Sequence, residues 1–192
     1  MLYLASKSLR RRQLLEQIGV RFEVVDVDIA EVRATAESPR QYVARVARDK
    51  AMAGRSQLRS QGIERAVVLG ADTEVVLDDD VFGKPADSLQ ALAMLRRLAG
   101  CTHQVLSAVC CVSDAGDEQA LSISQVRFAA VSDADLADYI AMGEWQGKAG
   151  AYAIQGRAAE FISHLDGSYS GVMGLPLFET AQLLRHFDAN NG

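Results

Sequence analysis

Ala66-Val67-Val68-Leu69-Gly70-Ala71-Asp72-Thr73 is the stretch on which the fold turns. Its first six residues form an apolar run, too short for a helix, that reads as a strand buried on both faces. Working outward, Ser38-Pro39-Arg40-Gln41 upstream carries a capping serine, a proline at the first helical position and a glutamine three residues after the cap. That pattern starts a helix expected to run to Ala53 and to stop at Gly54. Further back, Leu2–Ala5 reads as a short strand, Leu9–Ile18 as a helix stopped by Gly19, and Phe22–Val27 as a second strand. Downstream, Val75–Leu77 and Val81-Phe82 flank Asp78-Asp79-Asp80 as a hairpin. A helix then runs from Ser88 to Gly100, two extended stretches lie near 105–112 and 121–131, and Ser132 caps a helix to about Met142. A strand near Phe161–Leu165 and a last helix from Pro176 to Phe187 finish the chain. Strands interleaved with helices give an α/β fold, and the hairpins make its sheet mixed.

Composition bounds the function. The chain has 192 residues, 49% hydrophobic and 23% charged, with a net charge of -5. A chain of this size buries roughly 70% of its unfolded surface and needs no metal or disulfide to hold it. The negative balance argues against a nucleic-acid partner, whose affinity would come from neutralising many phosphates. Three cysteines, Cys101, Cys110 and Cys111, make no C-x-x-C pair, so reduced thiols are expected rather than a zinc site. The charges of the N-terminus follow its apolar stretch, the reverse of a secretion signal, and no run approaches the ~20 apolar residues of a membrane span. A cytoplasmic protein with no membrane partner is expected.

Chemistry is concentrated in a few places. Ser6-Lys7-Ser8-Leu9-Arg10-Arg11-Arg12 lies between a strand and a helix. Backbone N–H groups at a helix start, with guanidinium forks beside them, match phosphate oxygens, although a solvated basic turn has the same composition. Asp72, expected just beyond the carboxyl end of its strand, could hold Mg²⁺ or polarise a water, or serve as a turn former. Lys50 falls on the apolar stripe of its helix with Val43, Val46 and Ala47, so it must snorkel or meet a negative partner. Glu31 and Lys84 are loop charges. Gly147–Gly156 holds three glycines and Gln155, whose amide could read a uracil or thymine edge; a flexible surface loop is the plainer reading. Proline after Lys84 and Asp78 upstream rule out a Walker loop there, and His103, His164 and His186 have no ligand spacing.

Taken together, these segments resemble the Maf family of nucleotide pyrophosphatases. Leu4-Ala5-Ser6-Lys7-Ser8-Leu9-Arg10-Arg11 is similar to the family's L-A-S-x-S-P-R-R, and Ala47-Arg48-Asp49-Lys50-Ala51 to its A-R-x-K-A. Gly70-Ala71-Asp72-Thr73, Lys84-Pro85, Lys148–Tyr152, Ile154-Gln155-Gly156 and Gly174–Leu177 follow in the family's order. The resemblance covers essentially the whole chain, as a single Maf-like domain over 1–192. It implies an elongated fold of two lobes with the substrate in the cleft between them, often as a homodimer. It also implies hydrolysis of a nucleoside triphosphate between its α- and β-phosphates with Mg²⁺ or Mn²⁺.

Arg10, Thr73 and Gln155 match the positions that set the dTTP/UTP-preferring subgroup apart from the 7-methyl-GTP subgroup. Three departures stand out: Leu9 replaces a proline, Gly83 stands where an acid often precedes Lys-Pro, and Arg12 adds a positive charge. The expected division of labour puts Ser8, Arg10, Arg11, Lys50 and Lys84 on the triphosphate and the metal on Glu31 and Asp72. Asp72 is the expected general base, with Thr73 and Gln155 at the base. The alternatives are a non-catalytic nucleotide-binding regulator of cell division and the 7-methyl-GTP subgroup.

Overall fold

The apolar run from Ala66 does not end at Ala71; it is the first half of an eleven-residue strand, β3 (Val67–Leu77). Our computed structural model of the chain describes residues 1–189. In chain order they form β1 (Leu2–Ala5), α1 (Leu9–Gln17), β2 (Glu23–Val24), α2 (Pro39–Ser60), β3, β4 (Asp80–Phe82), α3 (Ser88–Leu98), β5 (Thr102–Ser113), β6 (Gly116–Phe128) and α4 (Asp133–Ala141). After two 3₁₀ turns (Ala149–Ala151 and Arg157–Phe161) come β7 (Ile162–Asp166), α5 (Tyr169–Met173) and α6 (Leu177–Ala189). One mixed sheet has the order β2-β1-β3-β5-β6-β7, with β4 paired to β3. β1 runs parallel to β2 and β3, and the remaining pairs are antiparallel.

β3 continues through three polar residues because β5 pairs with it from Val68 to Val76. Asp72 therefore lies in mid-strand rather than beyond a strand end. Period-two alternation sorts the side chains of β3. Val68 and Val76 pack in the core under α2, with Val43, Ala47 and Ala51. Val67, Leu69 and Ala71 pack on the other face, against Leu14 and Leu15 of α1 and Leu183 and Phe187 of α6. Val75 belongs to a third core, formed with Leu95 and Leu98 of α3, Leu136 and Tyr139 of α4, and Tyr152. One strand thus threads all three apolar clusters.

α2 also outruns its expectation. It starts in the capping box read from the sequence, with both Ser38–Gln41 hydrogen bonds formed, but passes Gly54 and ends at Ser60. Gly54 is a packing position rather than a stop: a methyl there would come within 2.9 Å of Val25 and 3.0 Å of Val68. The ~1 kcal/mol that an interior glycine costs a helix is offset by the closer approach to the sheet. β2, expected over Phe22–Val27, keeps only two paired residues, because it is an edge strand leaving β1 for the loop at 27–31. The glycine-rich segment is not a free surface loop either, since Gly150, Ala151 and Tyr152 are buried.

Gly70 sets the distance between α2 and β3. A methyl at this residue would overlap the carbonyl oxygen of Ala47 and lie 2.6 Å from the amide nitrogen of Ala51, both backbone atoms that cannot turn aside. Gly70→Ala should therefore cost about 2 kcal/mol or more through overpacking. The expected fall in melting temperature is ~4–8 °C, read from a thermal melt of the two proteins.

Candidate active site

The β1-facing edge of β3 is interrupted. β1 pairs with it as far as Gly70 and β4 takes over from Val75, so residues 71–74 have no strand beside them on that side. A cavity of about 800 Å³ opens at this gap. That volume lies inside the roughly 300–1,000 Å³ range of small-molecule sites. Ser6 to Arg11 of the β1–α1 turn, the 27–31 loop, Lys50 of α2, Gly83 and Lys84 after β4, Gly147–Ala149, and Met173-Gly174 all reach it. The strand edge divides the site into an acidic half on the α2 face and a cationic half on the other.

The acidic half is organised by Lys50. Only 8% of this lysine is exposed, and its ammonium lies 2.8 Å from Asp72 Oδ1 and 2.7 Å from Glu31 Oε1. The lysine on the apolar stripe has met two negative partners. Lys84 stands 3.7 Å from the other oxygen of Glu31. Burial pushes the Glu31 carboxyl upward, but the hydrogen bond and charge of Lys50, helped by Lys84 and Arg11, outweigh it and leave Glu31 below the usual carboxylate range. Asp72 is 4% exposed, and its Oδ2 is buried with no hydrogen-bond partner among the described residues.

Two residues along the same strand face stands Glu74, also buried, whose Oε2 likewise has no partner. Burial first, then the charges of Asp72 and Glu31, push its carboxyl up to about 8 against the opposing pull of Lys84 and Lys50.

The cationic half is built on α1. Ser8 caps the helix through Arg11 N, and the first turn contains no acid, so its N–H groups and positive dipole end lie beside two arginines with nothing anionic to balance them. Arg11 donates through Nε to the carbonyl of Gly174 at 2.8 Å, through Nη1 to Ser6 Oγ at 3.2 Å and through Nη2 to Thr73 Oγ1 at 3.5 Å. Arg10 Nε donates to the carbonyl of Met173 at 3.2 Å. These acceptors are neutral, and neither arginine forms an ion pair among the described residues, so the guanidinium forks are positioned without a carboxylate in direct contact. Burial lowers the pKa of both, and for Arg11 the neighbouring acids resist that shift while Arg10 adds to it. Thr73 shares the hydroxyl of Ser107 at 2.8 Å on the next strand, which fixes it on the arginine side of β3.

Ser8, Arg10, Arg11, Glu31, Lys50, Asp72, Thr73 and Lys84 are thus gathered around one cavity. Gln155 is not among them: the chain turns inward after Tyr152, Ala153 and Ile154 are buried, and Gln155 emerges exposed on the following turn. The sequence reading gave no role to Lys148, quoted only within a motif, and missed Glu74. Lys148 lines the cavity, its pKa lowered by burial and by the nearby Arg10. Glu74 was hidden by ending the strand at Ala71; carrying the alternation on through Val68, Gly70, Asp72, Glu74 and Val76 would have placed it beside Asp72.

A divalent cation fits this chemistry. The oxygen donors of Glu31 and Asp72 are the hard ligands that Mg²⁺ and Mn²⁺ take, and Asp72 Oδ2 is a buried acceptor with nothing to accept from. Among the described residues no three of His, Cys, Asp and Glu surround a single point as a preformed cage. Mg²⁺ does not require one, since it keeps waters and phosphate oxygens in its shell.

Removing one partner of the buried Lys50–Asp72 pair leaves an unmatched charge. Lys50→Met should cost about 3 kcal/mol of stability, and adding Asp72→Asn to it should recover much of that loss. Denaturant unfolding of the two single variants, the double variant and the parent measures the coupling.

The comparisons with known proteins give the chain's family. The family model described as Maf-like protein matches residues 1–187. A protein of Xanthomonas oryzae pv. oryzae named dTTP/UTP pyrophosphatase is 56% identical over 191 residues, covering 99% of this chain and 100% of that protein. One of Xylella fastidiosa named nucleoside triphosphate pyrophosphatase is 56% identical over 189 residues, covering 98% and 99%. Among solved structures, the Staphylococcus aureus Ham1 protein superposes with a TM-score of 0.50 at 12% identity, covering 100% of this chain and 99% of that one, a likeness of fold alone. With most of the family's motifs assembled around one cleft and its pattern matched almost from end to end, the chain belongs to the Maf family.

Proposed function

We propose that the cleft hydrolyses a nucleoside triphosphate between its α- and β-phosphates, releasing pyrophosphate and the monophosphate, with dTTP and UTP as preferred substrates. The observation that carries this reading is the opposition of two arginines without ion pairs to a buried, lysine-bridged set of carboxylates across one strand edge. Such an arrangement takes a polyanion on one side and activates a water on the other. The full-length relatives bearing pyrophosphatase names support the same activity.

In this reading Ser8, Arg10, Arg11, Lys50 and Lys84 hold the phosphate chain, and Glu31 and Asp72 hold Mg²⁺ or Mn²⁺. When bound, the ion supplies positive charge to the phosphate oxygens and stabilises the departing pyrophosphate. The protein's own work is positioning and neutralisation, which carry most of phosphoryl-type transfer. Asp72 accepts a proton from a water as its oxygen attacks the α-phosphorus; the bond from that phosphorus to the bridging oxygen breaks and pyrophosphate leaves. The pyrimidine preference rests on the likeness at Arg10, Thr73 and Gln155 and on the names of the relatives, since Gln155 stands off the cavity wall.

General-base help is worth about 10²–10⁴ in rate, so Asp72→Asn should lower pyrophosphate release by that factor while the protein still melts cooperatively. Near-normal turnover in the folded variant would remove Asp72 from the base role. In a panel of triphosphates at equal concentration with Mg²⁺ or Mn²⁺, dTTP and UTP should be consumed fastest. A purine triphosphate or 7-methyl-GTP in first place overturns the pyrimidine assignment, and saturable nucleotide binding with no pyrophosphate formed would make the protein a sensor.

A further inference from the structure

The acidic half of the cleft holds one carboxylate more than its lysines take up. Lys50 pairs with Glu31 and Asp72, and Lys84 with Glu31, but Glu74 forms no ion pair or hydrogen bond among the described residues. The side chain is not at the surface, where water would solvate it: Glu74 is 7% exposed, lines the cavity, and has Oε2 buried. The mechanism above gives it no part. A buried carboxyl group without a partner is ordinarily neutral or coordinates a metal.

Its place on the strand indicates which. Asp72 and Glu74 are i and i+2 on one face of β3, about 7 Å apart along the strand. Each carries a buried oxygen with no partner, Oδ2 of Asp72 and Oε2 of Glu74. Glu31, Asp72 and Glu74 do not surround one point as they stand, but the longer side chain of Glu74 can turn toward an ion on Asp72 and reach it at the ~2.0–2.6 Å distances of hard-ion coordination. We propose that Glu74 is a further ligand of the divalent cation held by Asp72, so that the ion is shared by adjacent acids of one strand face. The inference rests on the metal-dependent reading of the cleft and adds to it a residue outside the family's motifs quoted above. It also accounts for a second acid in mid-strand, between Asp72 and the apolar Val76 on the same face.

The test is Mn²⁺ binding without nucleotide, followed by electron paramagnetic resonance, on the parent, Glu74→Gln, Glu74→Met and Asp72→Asn. Melting temperatures are taken with and without Mn²⁺. Both Glu74 variants should bind Mn²⁺ about ten-fold or more weakly, lose the Mn²⁺-dependent rise in melting temperature, and melt no lower than the parent when metal-free. If Glu74→Gln binds Mn²⁺ like the parent while Asp72→Asn does not, the cation site stands and the role given to Glu74 is overturned. Both Glu74 variants melting well below the parent without metal would assign the residue to holding the fold and overturn it equally. If the parent itself takes up no Mn²⁺, alone or with pyrophosphate, the metal-dependent reading fails and this inference fails with it.

Discussion

An ammonium group held in a nearly dry position between two carboxylates is the contact around which the cleft is arranged. Lys50 comes from the long helix, Asp72 from the central strand and Glu31 from the loop after the edge strand, so three segments far apart in sequence are fixed by one charge. Burying such a group is costly unless its partners are close, which makes the approach of α2 to the sheet a requirement of the chemistry as well as of packing. Glycine at positions 54 and 70 permits that approach. The small residues of the helix–sheet interface and the charges of the site are therefore parts of one arrangement.

The interrupted strand edge does the rest. In a continuous sheet, Asp72 and Thr73 would point into opposite layers and never share a ligand. Here β1 stops before them and β4 begins after them, so a molecule lying over the edge meets the acids of one face and the arginines of the other. Opposite charges are kept apart by the thickness of a strand instead of neutralising one another. The turn from β1 into α1 stands at the same gap, where a helix N-terminus with no acid in its first turn adds its N–H groups to the cationic side.

Much of this was legible in the sequence, and what was not has physical reasons. The α/β order, the capping box at Ser38 and the hairpin at Asp78–Asp80 rest on local signals, and local signals survive folding. Lys50 was recognisable because a lysine on an apolar stripe requires a partner. The errors came where tertiary pairing overrides local preference. β3 runs through Asp72-Thr73-Glu74 because β5 supports it from the other side, which a hydrophobicity pattern read along the chain does not register. Gly54 has the local signature of a stop, and only the sheet packed against the helix makes it an interior contact. Gln155 followed its motif in sequence, but the buried Ala153 and Ile154 before it carry the chain inward and leave its side chain outside the cavity.

The eleven residues of β3 have a mechanical consequence. Because the same strand contributes Val68 to one apolar cluster, Leu69 to a second and Val75 to a third, and is laced to β5 along nearly its whole length, the two sides of the cleft share a rigid spine. Opening them like a jaw would require bending that ladder and tearing its backbone hydrogen bonds. Accommodation of a guest falls instead to the connecting segments around the rim, at 27–31, 83–84 and 147–149, which can rearrange without disturbing the frame.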